Sequence, residues 1–323
     1  MSVTGEIERL QTAKETLKIK LNTKNDSEHQ ITDELISEYG DFVDNISTGV
    51  DINEYYDLTK RTNDGLRSYI KQIPIIDTSA YTNMANFFES CKSLLELPLI
   101  ETNKVTNMQN MFNDCKSLKT IPLIDTGNVT NMQNMFLNCT SLITIPQLNT
   151  NKVTNMYGMF NGCSSLKTIP SIVTNNVTNM TSMFLNCYAL VEIPQFNTSN
   201  VISMNSMFYT CSSLTTVPLL NADKVTDLSN VFNYTKKLTN FGGLLNIGQA
   251  YSTSSSENYS KYVYKLSSCK QLTHESLINI INGLYDIKTK GCNSQSLTLG
   301  DENIAKLTAE EIAIATEKGW TVS

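Results

Sequence analysis

The chain carries eight cysteines, and six of them, Cys91, Cys115, Cys139, Cys163, Cys187 and Cys211, recur every 24 residues. Six aligned thiols could bind a metal or pair as disulfides. Zinc-type sites ask for cysteines two to four residues apart with further Cys or His close by in sequence, and this spacing offers none. A cytoplasm also keeps thiols reduced. The period makes each cysteine a small apolar side chain on an inward face, and Met108, Met111 and their equivalents read as core in the same way. The two histidines, His29 and His274, lie far apart, and His274 opens a helical stretch beside Glu275, a surface setting. No G-x-S-x-G, H-E-x-x-H or G-x-x-x-x-G-K-[ST] stretch occurs, and carboxylates do not recur at matched repeat positions. No acid/base pair can therefore be nominated. The expectation is a non-enzyme with no catalytic residue, cofactor or metal.

What remains is binding chemistry. Threonines 78, 102, 126, 150, 174 and 198 align, as do asparagines 83, 107, 131, 155 and 179. Such ladders read as structural, with side-chain amides and hydroxyls satisfying turn backbone. Positions that vary from coil to coil are better candidates for a surface. Directly after three of the prolines, and before the next apolar residue, stand Gln147, Ser171 and Gln195, where other coils carry Ile or Leu. Thr120, Thr144, Thr168 and Thr216 precede the Ile or Val on the extended segment, and Tyr157 and Tyr188 fill otherwise polar slots. Neutral hydroxyls, amides and a few aromatics suit a carbohydrate or another protein surface.

These residues must be positioned by a repeat. All seven prolines, from Pro74 to Pro218, step by 24, and so do Phe88 through Phe232. In one unit Val105, Met108, Met111, Phe112 and Cys115 fall on one face of a three-turn helix. Thr106 would be its N-cap and Gln109 the capping-box partner. Leu118 to Pro122 is a short extended segment, and proline, lacking an N–H, must end each strand. Stacked coils bury what one coil cannot. Strands ~4.8 Å apart facing helices that need ~8–10 Å would bend the stack, strand side concave.

The run Asn128-Val-Thr-Asn-Met132, followed by Met135-Phe136-Leu-Asn-Cys139-Thr-Ser-Leu142, resembles the BspA-type leucine-rich repeat of bacterial surface proteins over about 73–245. It departs from the ordinary pattern in having apolar positions 1, 4 and 7 (Leu142, Ile145, Leu148). The fold class expected is α/β: a leucine-rich-repeat-like solenoid of 24-residue coils.

The ends lack the period. Residues 1–47 read as an α-helical hairpin for attachment or oligomerisation, its second helix lined by Tyr39, Phe42, Val43 and Ile46 among others, and 48–72 as a linker and N-terminal cap. The hairpin resembles the N-terminal segment of many phage tail and fibre proteins. From 246 to 323 two longer units of the ordinary leucine-rich kind are expected to cap the stack. Their strands lie at Tyr262–Leu266 and Ser296–Leu299 and one helix at Leu272–Ile281. A second helix opens at Thr308 with a capping box to Glu311 and closes at Gly319. Their closing text, L-T-L-G…G-W-T-V-S, is similar to the ends of phage tail proteins.

Charge narrows the function further. Of a net charge of -6, residues 1–72 hold 14 acids and 9 bases, whereas 73–240 balance 9 against 9. A neutral middle releases few phosphate counterions, which excludes nucleic acid as the expected partner. No apolar run reaches ~18 residues, so membrane insertion is not expected. The N-terminus, without an apolar h-region, reads as lacking a signal peptide and as made in a cytoplasm. Together with the resemblance, this implies a virion structural protein: a tail, baseplate or fibre component. It would contact other virion proteins and copies of itself through the hairpin, and a host-surface glycan or protein through the solenoid. A BspA-like bacterial surface adhesin is the alternative.

Overall fold

A computed structural model describes residues 71, 73, 77–252 and 263–323, all within the unit Arg67–Ser323. The hairpin expected over 1–47 lies outside the described residues, as does most of 48–72.

The coil from Thr126 to Asn149 shows how the sequence builds the repeat. Val129 N–H closes a turn on Thr126 O, and Thr130 N–H reaches back to Thr106 O of the preceding coil. Alternate residues then donate forward to the next coil: Met132 to Asn155 O, Asn134 to Tyr157 O, Phe136 to Met159 O and Asn138 to Asn161 O, at 2.7–3.1 Å. The residues between them close tight local turns, Met135 N–H on Met132 O, Leu137 on Asn134 and Cys139 on Phe136. Asn134 and Asn138 hold left-handed backbone, φ 54° and 59°.

The helix expected at Val105–Cys115 and its equivalents is therefore not formed. A run of tight turns returns a side chain to the interior every three to four residues, the same spacing as a helix, so periodicity alone could not separate them. The signal that does separate them is the residue at the two left-handed slots. In the following coil these are Gly158 and Gly162, φ 58° and 76°, and glycine is poor in a helix interior. Thr106 caps no helix; its N–H and Oγ1 both donate to Thr82 O. Gln109 makes no capping box either. Its N–H donates to Asn107 Oδ1, and its Oε1 accepts from Asn131 Nδ2 of the next coil.

The predicted cause of bending goes with the helix. The phenylalanines from Phe88 to Phe232 stack ring on ring at 5.4–5.8 Å and within 10° of parallel. Packed helices need ~8–10 Å. Both halves of the coil thus advance by about one ladder spacing.

The extended half is the less bonded one. Ile143 N–H donates to Lys119 O, and then Pro146 removes a donor. Named strands appear where the proline is lost. β1 (Thr216–Val217) pairs in parallel with β3 (Asn240–Phe241), and β2 (Leu220–Asn221) with β4 (Leu244–Leu245). β1 stops just before Pro218. Its partner coil carries Gly242 at the proline slot, and that N–H donates to Val217 O at 3.0 Å. A Cβ on Gly242 would lie 2.4 Å from Leu219 N, so the close approach also requires glycine.

Inside the stack, the Val, Met, Phe, Cys, Leu and Ile columns are buried throughout, and positions 1, 4 and 7 of the extended segment (Leu142, Ile145, Leu148) all face inward.

Beyond the coils lie α1 (Gln249–Ser252), β5 (Val263–Lys265), α2 (His274–Gly283), β6 (Gln295–Thr298), α3 (Asp301–Ile304), α4 (Ala309–Glu317) and β7 (Trp320–Val322). Strands β5, β6 and β7 form a parallel sheet in that order. Thr273 caps α2 through its side chain, accepting from Ser276 N–H. The helix packs on β3 and β4, where Ser276 Oγ donates to Thr239 O and accepts from Phe241 N–H. A full capping box, Thr308 with Glu311, opens α4, and Gly319 (φ 94°) follows its end. This module covers the last coil with hydrogen-bonded backbone.

Candidate binding surface

The Asn and Thr ladders have defined partners. Each of Asn83, Asn107, Asn131, Asn155 and Asn179 accepts, through Oδ1, the N–H two residues on. Each aligned threonine is buried and donates Oγ1 to a carbonyl of the next coil, as Thr102 to Asp125 O at 2.6 Å and Thr126 to Asn149 O at 2.9 Å. The hydroxyl replaces the strand pairing that proline interrupts.

The candidate surface residues divide between faces. Gln147, Ser171 and Gln195 form one exposed column on the extended half, and Thr120, Thr144 and Thr168 a second, with Thr216 half-buried in β1. The glutamine amides are partly committed to structure. Gln147 Nε2 donates to Ser171 O, and Gln195 Nε2 to Leu219 O at 2.7 Å, each on the following coil. Tyr157 stands on the ladder half, and Tyr188 in the turn after Cys187, so the structure does not bring them to the glutamine column. Tyr39, Phe42, Val43 and Ile46 lie outside the described residues.

Sequence reasoning passed over the apolar ends of the glutamine column. Leu99 and Leu123 are 77% and 68% exposed at one end, with Leu95 and Ile143 exposed on the same extended half, and Leu219 is exposed at the other end. Leucine at a slot that other coils fill with Gln or Ser was the available signal. It also passed over Tyr209 and Tyr234, whose rings meet edge to face at 5.4 Å.

The cysteines are free and, from Cys91 to Cys269, buried. Cys115, Cys139, Cys163, Cys187 and Cys211 each donate Sγ–H to a phenylalanine carbonyl of the preceding coil at 3.0–3.1 Å. In the seventh coil Thr235 takes the place of the cysteine and makes the same bond to Phe208 O at 2.8 Å. A hydroxyl serves as well as a thiol, so the slot needs a small donor rather than sulfur chemistry. Burial pushes these thiols well above their usual range and Cys269 up to about 12, the opposite of a reactive cysteine. Among the described residues no group of three His, Cys, Asp or Glu could hold a metal ion, and no helix is long and apolar enough to cross a membrane. His274 Nε2 meets Glu311 Oε1 at 2.9 Å on the surface of the terminal module, where Glu311 also holds the Thr308 N–H.

What these faces offer is repetition: one polar and apolar pattern set out coil after coil. The family described as "Mycoplasma protein of unknown function, DUF285" matches the chain over 56–171, 106–216, 130–246 and 167–275, overlapping spans that run from 56 to 275. The chain belongs to this family. Its repeats are of the BspA-like, leucine-rich type. No curated protein matches the chain. Among solved structures, it is similar to a leucine-rich repeat protein of T. pallidum, at 19% identity and a TM-score of 0.39, over 52% of this chain and 76% of that one. It is also similar to the TLR13–ssRNA13 complex, at 15% identity and a TM-score of 0.34, over 74% of this chain and 38% of that one. A leucine-rich repeat protein from Eubacterium ventriosum ATCC 27560 aligns at 14% identity and a TM-score of 0.19, over 62% and 82% of the two chains.

Proposed function

We propose that this DUF285 repeat protein is a non-enzymatic binding scaffold that presents its coils to a cell surface or to an assembly partner. The observation that carries the reading is the stack itself. The interior is one repeated core, and the exterior sets out exposed columns such as Gln147, Ser171 and Gln195 beside Leu99 and Leu123. Repeated weak contacts along such a column sum to useful avidity. In its finer form the reading is a virion component of the tail, baseplate or fibre, anchored through residues 1–47 and forming a homo-oligomer. The resemblance of that segment and of the closing residues to phage tail proteins supports it. The second setting is a bacterial surface protein, and the match to a Mycoplasma family favours it.

The experiment uses an antibody to the full chain on two preparations from the same source culture: intact cells, and phage particles purified from them. Label on particles and their mass-spectrometric detection support the virion setting, and label on intact cells supports the adhesin. Purified protein that binds neither cells nor particles refutes the scaffold reading, and release of sugar or peptide fragments from envelopes refutes its non-enzymatic character.

A further inference from the structure

Tyr188, Tyr209 and Tyr234 stand on three successive coils, within four residues after the stacked Phe184, Phe208 and Phe232. The three turns are tied together: Asn186 N–H donates to Tyr209 O at 2.9 Å, Thr210 N–H to Asn233 O at 2.8 Å, and Ser212 Oγ approaches Tyr188 O at 3.5 Å. The ring of Tyr209 meets that of Tyr234 at 78°.

Tyr234 is the unusual member. It holds left-handed backbone at φ 63°, in the slot that earlier coils give to Ser90, Asp114, Asn138, Gly162, Asn186 and Thr210. A bulky aromatic is among the least suited residues for that conformation. Burial does not account for it, since Tyr234 is 52% exposed, and Tyr188 is 45% exposed. Asn or Gly fills the same slot two or more coils away, and the bond from Tyr234 N–H to Ser268 Oγ uses backbone alone, so the ring at this slot supports something other than the fold. The three turns themselves are polar and carry no carboxylate. Residues 185–189, 209–213 and 233–237 supply Asn186, Asn233, Thr210 and Ser212, and their only charges are Lys236 and Lys237.

We propose that this turn is a binding platform for a neutral glycan. The C–H face of a sugar ring packs on a tyrosine face, whose π-system is electron-rich, while the sugar hydroxyls exchange hydrogen bonds with the Asn amides and the Thr and Ser hydroxyls. Tyrosine gives large, rigid, amphipathic contact area with little rotamer entropy to lose. A protein partner would ask for an enclosed pocket to seat its anchors, whereas the turn offers two exposed rings. The inference rests on the reading of the chain as a surface-binding scaffold, names the ligand class, and moves the principal site from the glutamine column to the tyrosine turn.

The test titrates the full chain with chitotetraose, maltotetraose and cellotetraose by calorimetry and saturation-transfer NMR. At least one should bind with a Kd between ~10 µM and ~1 mM, insensitive to salt because the ligand is uncharged. Tyr234→Asn places the residue used in other coils at the strained slot. It should weaken binding at least tenfold while leaving the urea midpoint unchanged or raised, and Tyr234→Phe, which keeps the ring face, should retain most of the affinity. Failure of all three sugars to bind, or wild-type affinity in Tyr234→Asn, overturns the proposal. Cell binding separates the two readings. Wild-type protein and Tyr234→Asn adhering equally overturns the platform and leaves the scaffold function standing, whereas no adherence by wild type removes the scaffold reading itself. Adherence lost after protease treatment of the cells but kept after periodate identifies a protein partner and overturns the glycan.

Discussion

Alkaline pH should unfold this protein through its own core. Cys115, Cys139, Cys163, Cys187, Cys211 and Cys269 have their thiols raised, with desolvation by burial the largest cause in each. In the unfolded chain each titrates near pH ~8.5. The sign follows from proton counts. Below that pH the thiols are protonated in both states and their contribution is constant. Above it the unfolded state loses protons that the folded state keeps, so stability falls as pH rises. For one thiol the loss at pH 9.5 is about 1.4 kcal/mol, and for six together about 8 kcal/mol, comparable to the whole stability of an ordinary domain, roughly 5–15 kcal/mol. Urea unfolding followed by circular dichroism at pH 7.5, 8.5, 9.5 and 10 measures this directly. The midpoint should hold to about pH 8.5 and then drop steeply. Cys163→Thr, which follows the Thr235 precedent, should lower the slope above that pH by about 1.4 kcal/mol per pH unit. A flat midpoint from pH 7.5 to 10, or a slope unchanged in Cys163→Thr, would refute the assignment of the thiols to a desolvated core.

Three further outcomes follow from the packing. Phe160→Ala opens a hole between Phe136 and Phe184, whose rings lie 5.6 and 5.5 Å away, and should cost about 3–5 kcal/mol in urea unfolding. A loss under ~1 kcal/mol would contradict the stack. Thr150→Val removes the donor to Val173 O, now at 2.6 Å, and should cost about 1–3 kcal/mol, the penalty of an orphaned carbonyl, despite its apolar surroundings. In native protein at pH 8 a thiol reagent should label Cys292, the one partly exposed cysteine among the described residues, ahead of the other seven. Rapid reaction of several thiols without denaturant would show that the ladder opens readily.

The strongest features of the fold were legible because they are chemical and repeated. Seven prolines and six cysteines in step announce a 24-residue coil, and apolar residues that recur in every coil must face a shared interior. Proline lacks a donor wherever it stands, so the end of β1 before Pro218 was also written in the sequence. The Thr308–Glu311 capping box, a local pattern, was readable in the same way. The ladder half was not, because an apolar residue every three to four positions fits a helix and a chain of tight turns equally well. What decided between them was the destination of alternate N–H groups. Met132, Asn134, Phe136 and Asn138 donate to a neighbouring coil 23 residues away, a choice that exists only once the coils are stacked. Stacking likewise turned Thr126 from a turn residue into an inter-coil donor and committed part of the Gln147 and Gln195 amides to backbone. It also set Tyr209 against Tyr234, 25 positions apart in sequence. Sequence fixes which groups each coil contributes; only the coil above and the coil below determine what those groups touch, because one coil alone can satisfy neither its apolar face nor its backbone.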